Sequence, residues 1–221
     1  MIKLVAFDWN GTLLDDAQLN VKCSNILFAN FGIKPITLRR FRETFHIPIL
    51  SFWVANGGRK EDLDIEEDHF FDLYEARVNK TKLRSGVKGI LARLEKQRIK
   101  RMIFSNHITP AIIRQLIRLD IYEYFDEILA RPANDASLIQ GRNKEQKLRD
   151  YVKRNKLKAN EVMVIGDTEE EIDIGKKYGY RTVAITGGYN SVSRLRRLHP
   201  DFLINRLSEL PKIIKKLNAK R

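Results

Sequence analysis

The sequence predicts an α/β protein: a Rossmann-like, three-layer parallel sheet with an all-helical segment inserted after its first strand. Three observations predict it. The N-terminal run Ile2-Lys3-Leu4-Val5-Ala6-Phe7 is short, apolar and β-branched, and reads as a buried strand. From residue 86 onward, short apolar runs alternate with amphipathic helical patterns, which implies right-handed crossovers and a parallel sheet covered on both faces. Between these regions, residues 15–82 carry helical spacing with no strand pattern.

The first strand ends at a carboxylate, Asp8, and Gly11 then permits a tight bend. Open α/β sheets build their sites by delivering side chains to strand C-termini in this way. Helices are expected over residues 17–31 (Val21, Ile26, Leu27 and Phe31, with Gly32 as the stop), 37–45, 48–55 and 66–78, punctuated by Pro35, Pro48 and Gly57-Gly58. The alternating part follows: helix 87–96 with Val87, Ile90, Leu91 and Leu94 on one face, strand 100–105, helix 109–119 and strand 127–130. It continues with helix 144–157, strand 161–165, helix 169–178, strand 181–185, a short strand 202–204 and a closing helix 207–217. The expected domains are therefore a core of residues 1–14 and 83–221, and a helical insertion of residues 15–82.

Composition bounds the function. With 221 residues, 43% of them hydrophobic and 31% charged, the chain is long enough for one core domain plus an insertion. No apolar stretch is long enough to span a membrane, and the N-terminal run meets Asp8 too soon for a signal peptide, so a cytoplasmic location is the expectation. Cys23 is the single cysteine, which excludes an intramolecular disulfide or a cysteine metal cluster. The net charge of +13 would suit an anionic partner. Its basic groups (Arg39/Arg40/Arg42, Lys96/Arg98/Lys100/Arg101, Lys153/Arg154/Lys156/Lys158, Arg194/Arg196/Arg197) are dispersed and lack aromatic interleaving, so nucleic acid is not the expected partner. Oligomeric state leaves no signal in the sequence.

Four motifs carry the chemistry. Asp8-Trp9-Asn10-Gly11-Thr12 resembles the first motif of the haloacid dehalogenase (HAD) superfamily, Asp-x-Asp-Gly-Thr. Ser105-Asn106, at a strand end, resembles the second motif, although the pair also suits an ordinary strand-to-helix turn. Asn143-Lys144-Glu145-Gln146-Lys147-Leu148 resembles a form of the lysine motif, with Arg142 and Lys147 as alternatives to Lys144. Gly166-Asp167-Thr168-Glu169-Glu170-Glu171 resembles the fourth motif, Gly-Asp-x-x-x-Asp/Glu; an acidic first helical turn accounts for Glu169 and Glu170 better than for Asp167. Five acids crowded at one strand end, through Asp173, call for a cation.

The resemblance covers the whole core and looks most like the phosphoglycolate-phosphatase-like branch, with residues 15–82 where that family carries its helical C1 cap. It implies a Mg²⁺-dependent phosphomonoester hydrolase acting on a small phosphorylated metabolite through an aspartyl-phosphate on Asp8. The catalytic group would be Asp8, Asn10 and Lys144. Ser105, Asn106, Gly11 and Thr12 would bind phosphate. Asp8, the Asn10 carbonyl, Asp167 and Glu171 would serve the metal. The departure is Asn10, which stands where the family carries its acid/base Asp and cannot exchange a proton at neutral pH. Two readings follow: a phosphatase whose proton work falls to another group such as Asp15, Asp16 or a cap residue, or a catalytically silent HAD-fold protein that binds phosphorylated ligands. Arg39, Arg42, Trp53, Arg59 and Lys60 are the candidates for substrate specificity.

Overall fold

The computed structural model describes residues 1–65, 67–132 and 144–219. Its strands are β1 (Leu4–Phe7), β2 (Leu14–Asp15), β3 (Lys82–Leu83), β4 (Lys100–Ile108), β5 (Glu127–Arg131), β6 (Val162–Gly166), β7 (Arg181–Ile185) and β8 (Phe202–Ile204). Six of them form one sheet in the order β5-β4-β1-β6-β7-β8, every neighbouring pair parallel. The central strand, β1, is wholly buried, with Leu4 opposite Lys100 on one side and Val162 on the other.

Period-2 alternation divides the strand side chains between two faces. Val5, Phe7, Ile103, Met163 and Ile165 pack with the helices Val87–Lys96, Thr109–Arg118 and Leu210–Ala219. Leu4, Ala6, Met102, Phe104, Val162 and Val164 pack with the helices Lys144–Arg154 and Glu169–Tyr178. The expected three-layer α/β/α arrangement is thus present, and its physical basis is a sheet apolar on both sides.

Residues between β1 and β4 are mostly helical: Ala17–Asn30, Leu38–Thr44, Ile49–Ala55 and Glu67–Val78, with a 3₁₀ segment at Lys60–Ile65. Two features there escape the sequence pattern. Leu14 pairs with Leu83 and Asp15 with Lys82, so an antiparallel pair closes the chain where it leaves and re-enters the core. Strands of two residues are too short to establish a period. The helical segment also has two sets of packing partners. Cys23, Tyr74 and Val78 join the core under the sheet. Phe28, Phe41, Phe45, Phe52 and Trp53 form an aromatic cluster that receives Tyr189 from the loop after β7.

Smaller differences lie at element ends. β4 runs on to Ile108, past the expected strand end, with a register break against β5 between Phe104 and Ile108. A six-residue helix, Val192–Arg197, was not expected; Leu195 is its only buried apolar residue, too sparse to write a stripe.

Candidate active site

The C-terminal ends of β1, β4 and β6 meet at one edge of the sheet, where loops leave the strands and polar groups gather. Asp8 follows β1 directly, its amide donating to the Ile165 carbonyl of β6 at 2.9 Å. Lys144 opens its helix with the side chain turned inward. Its Nζ lies 3.1 Å from Asp8 Oδ1, 3.1 Å from Glu170 Oε2, and against Glu171 Oε1, over the face of Phe104. Asn143 and Arg142 lie outside the described residues; Lys147 reaches the Ala130 carbonyl instead.

Three buried carboxylates, those of Asp8, Glu170 and Glu171, surround this lysine, and a fourth, Asp167, is buried nearby with Arg84 as its cationic neighbour. Burial alone would lower the Lys144 ammonium, but Asp8, Glu170 and Glu171 outweigh it and hold the group well above its usual range. Asp8 is pushed well up by burial, with Lys144 opposing and Glu171 and Asp167 adding to the rise. Asp167 is pushed up to about 7 by burial and by Glu171, against hydrogen bonds from Thr12 and the Tyr189 amide and the charge of Arg84. Glu170 rises for the same first reason, and its Oε1 is buried with no hydrogen-bond partner.

Several expected site residues have other engagements. Thr12 Oγ1 donates to Asp167 Oδ1 at 2.5 Å. The Gly11 amide donates to Leu14 O at 3.0 Å and to Asp16 Oδ1 at 2.8 Å. Neither residue lines the cavity described below, so both hold the loop and Asp167 rather than presenting donors to it. Gly11 has φ +76°, and a Cβ there would collide with the Asp167 carboxylate, so the bend requires glycine. Glu171 spends Oε2 on the Thr168 amide and hydroxyl in a capping box and Oε1 on Lys144. Ser105 is buried, its hydroxyl accepting from the His107 amide at 3.1 Å, and Asn106 Nδ2 donates to Glu170 Oε2 at 2.6 Å.

Asn10 is pinned. Its Nδ2 donates to Asp16 Oδ2 at 2.8 Å and to Tyr74 Oη at 2.9 Å. Asp16 also accepts from the hydroxyls of Tyr74 and Tyr189 and from the Gly11 amide, four donors on one buried carboxylate. Burial pushes Asp16 up and these bonds oppose it. It lies outside the cavity lining, and Asp15 is exposed on β2, so neither is placed to replace the missing acid. Arg84 and Tyr74 carry no signal in the sequence, and Tyr189 falls in the Gly187-Gly188-Tyr189 stretch of the resemblance without a site role. Arg84 donates to the Gly11 and Thr186 carbonyls beside Asp167. A lone arginine or tyrosine far from the motifs carries no local mark of such a role.

Above these groups lies a cavity of about 170 Å³. Asp8, Asn10, Ser105, Asn106, Lys144, Glu170 and Glu171 contribute to its walls, and most of the remainder is apolar or aromatic, drawn from the helical segment.

The family model described as haloacid dehalogenase-like hydrolase matches residues 5–185. The chain belongs to this family. Among curated HAD-like relatives, the phosphoglycolate phosphatase of Photobacterium profundum is 25% identical over 233 residues, covering 97% of this chain and 96% of its own. That of Photorhabdus laumondii is 26% identical over 227 residues, covering 95% and 91%. Among solved structures, a haloacid dehalogenase-like family protein from Streptococcus pneumoniae superposes with a TM-score of 0.81 at 19% identity, covering 96% of this chain and 98% of its own. CbbY from Rhodobacter sphaeroides, solved in complex with phosphate, gives 0.68 at 19% identity over 95% and 96%. The chain is accordingly a HAD-like hydrolase with phosphatase relatives, and the fold of these neighbours is its fold.

Proposed function

We propose that this protein is a Mg²⁺-dependent phosphomonoester hydrolase whose nucleophile is Asp8, with residues 15–82 acting as the cap over a small phosphorylated metabolite. The observation that carries the reading is the Asp8 carboxylate at the end of the central strand, on the wall of a cavity and 3.1 Å from a buried Lys144 ammonium. The phosphatase relatives support it.

The donors at the strand ends suit a hard cation. Three buried carboxylates surround one lysine with Asp167 buried nearby, more acids than the lysine can answer, and Glu170 Oε1 is unpartnered. Among the described residues no three His, Cys, Asp or Glu side chains form a metal cluster by themselves. The set therefore suits an ion that completes its shell with backbone carbonyl and water oxygens, as Mg²⁺ does. Asp8 and the Asn10 carbonyl, on the cavity wall, and Asp167, wholly buried behind its bonds to Thr12 and the Tyr189 amide, are the proposed holders, with Glu171 supporting indirectly through Lys144. When bound, Mg²⁺ supplies charge stabilisation to the phosphoryl oxygens.

The side chains do the rest. An Asp8 oxygen attacks phosphorus in line and the ester oxygen departs, giving an aspartyl-phosphate that water then hydrolyses. Lys144 stabilises the equatorial oxygens, and its charge opposes the burial that pushes Asp8 up. Ser105 and Asn106, which line the same cavity as Asp8, are the proposed phosphate-binding residues. Asn10 cannot carry the proton in either step, a loss on the order of 10²–10⁴-fold for poor leaving groups.

Phosphate release from a phosphomonoester panel, with and without Mg²⁺, tests the reading. We expect turnover that requires the metal and disappears in Asp8→Asn; undiminished activity in that variant would exclude Asp8 as nucleophile. The second reading, a phospho-ligand-binding protein without turnover, is favoured by the locked Asn10 carboxamide. It requires Mg²⁺-assisted phosphate binding and no turnover on any ester.

A further inference from the structure

The cavity holds a contradiction with the substrate of the curated relatives. A phosphoglycolate molecule carries a carboxylate beyond its phosphoryl group, and a buried carboxylate needs a cation or donors to answer it. The part of the cavity walled by the helical segment is mainly aromatic, with Phe28, Phe45, Phe52, Trp53, Phe70 and Phe71; its polar groups are Ser24, Asn20, which donates to Tyr189 Oη, and Tyr74, which donates to Asp16. Their rings already pack at aromatic-pair spacings, Phe28 lying 5.5 Å from Trp53 and 5.9 Å from Phe52.

The basic groups are committed elsewhere. Among the described lining residues only Lys144 and His107 are basic. Lys144 is surrounded by three carboxylates. His107 stacks on Phe71 and turns Nε2 toward Glu75 at 3.4 Å. Of the specificity candidates read from the sequence, Arg39 pairs with Glu43, Arg42 binds the Gly187 and Gly188 carbonyls, Arg59 pairs with Asp62, and Lys60 is exposed. Only Trp53 lines the cavity.

A second, independent observation concerns the leaving oxygen. Asn10 is fixed as a donor to Asp16 and Tyr74 and has no proton to give. Departure is then easiest for an oxygen that is stable as an anion. A phenolic oxygen, with a pKa near the ~10 of tyrosine, qualifies far better than an alkoxide. Volume agrees with both points: about 170 Å³ is the scale of the ~150 Å³ engineered apolar cavity that accepts benzene.

We infer that the substrate is a small aryl phosphomonoester whose ring occupies the aromatic chamber while its phosphoryl group faces Asp8 and Lys144. The inference rests on the hydrolase reading above. Asp8 forms the new P–O bond as the bond to the aryl oxygen breaks; the phenolate leaves with the electron pair and takes its proton from solvent.

Three esters separate the two halves of this claim. Benzyl phosphate and 2-phosphoglycolate share a CH₂–O leaving group and differ in ring against carboxylate. Phenyl and benzyl phosphate share the ring and differ in leaving-group acidity. With Mg²⁺, we expect kcat/KM for benzyl phosphate to exceed that for 2-phosphoglycolate by roughly 10²-fold. Phenyl phosphate should exceed benzyl phosphate by a further ~10²-fold. Ile49→Arg, at the partly exposed cavity wall, should shrink the first ratio at least about tenfold by supplying the missing cation. Equal or better turnover of 2-phosphoglycolate would overturn the chamber assignment while leaving the hydrolase reading intact, and equal rates for phenyl and benzyl phosphate would overturn the aryl assignment. If no ester is turned over, the hydrolase reading fails, and calorimetry with Mg²⁺ still decides the chamber. Tighter benzylphosphonate than phosphonoacetate supports it; the reverse or parity overturns it.

Discussion

The amide nitrogen of Asn10 faces Asp16 because a carboxylate can only accept, and Tyr74 completes the arrangement by accepting from Asn10 while donating to Asp16. Restoring the family's acid at this position therefore does more than restore an acid. Asn10→Asp replaces a donor with a second carboxylate at 2.8 Å from Asp16 Oδ2, so the variant should lose about 1–3 kcal/mol of stability in denaturant titration. Asp16→Asn added to Asn10→Asp should recover most of that loss, since the reversed pair can hydrogen-bond again. Additive losses in the two-residue cycle would exclude the coupling. The sequence exposes Asn10 as a departure from a motif, and Asp16 only as a nearby acid. That one holds the other, and that four donors converge on Asp16, depends on Tyr74 and Tyr189, 58 and 173 positions away.

Among the elements, the Leu38–Thr44 helix is tied to the sheet edge through its own C-terminus. Arg194 Nη1 donates to the carbonyls of Arg42 and Phe45 at 3.2 and 2.7 Å, and the Ser191 amide donates to the Arg42 carbonyl at 3.0 Å. A cation at the last turn also answers the helix dipole. Arg42 returns the contact by donating to the carbonyls of Gly187 and Gly188, in the loop whose Tyr189 amide holds Asp167 at 2.6 Å. The proposed cap and the acid edge thus share one loop. Arg194→Ala should speed amide hydrogen exchange across residues 38–55 by roughly tenfold, the equivalent of 1.4 kcal/mol, while β1 and β6 stay protected. Uniform acceleration through the sheet would mean that Arg194 supports the whole fold instead. Strong stripes such as Val87, Ile90, Leu91 and Leu94 make their helix legible in advance. The Val192–Arg197 helix escapes because its purpose lies in Ser191 and Arg194, polar residues with no periodic signature.

At the scale of the molecule, burial of like charges leaves a signature that a cation should erase. Asp167 is raised to about 7, so its folded form holds a proton that the unfolded chain releases nearer pH 4. A raised carboxylate supports the fold below its unfolded pKa, and that support is lost as pH climbs through about 7. In chelator, the melting temperature should therefore fall between about pH 6 and about pH 8, and saturating Mg²⁺ should raise it more at the higher pH. A melting temperature indifferent to Mg²⁺ at both values would argue against the proposed cation site. The net charge of +13 does not bear on this edge, because Lys144 and Arg84 are the basic groups that reach its acids and the other basic groups lie mainly on the surface.

Local pattern determined the three-layer α/β architecture, the helical segment after the first strand, and the strand-end positions of Asp8 and Asp167, whereas the strand expected to end at Ser105 runs on to Ile108. Each of the three rests on period-2 or 3.6-residue spacing, or on a carboxylate directly after an apolar run, and these are properties of neighbouring residues. Only the tertiary structure decided that Gly11 and Thr12 serve the loop and Asp167, that Glu171 holds Lys144, and that Asn10 is locked by Asp16. It alone decided that the cavity wall contributed by the helical segment is aromatic and that the nearby arginines are engaged elsewhere. Those outcomes turn on the direction of single side chains. Direction is set by partners both near and far along the chain, 6 positions away for Asn10 and Asp16 but 155 for Thr12 and Asp167, competing for the same few donors and acceptors.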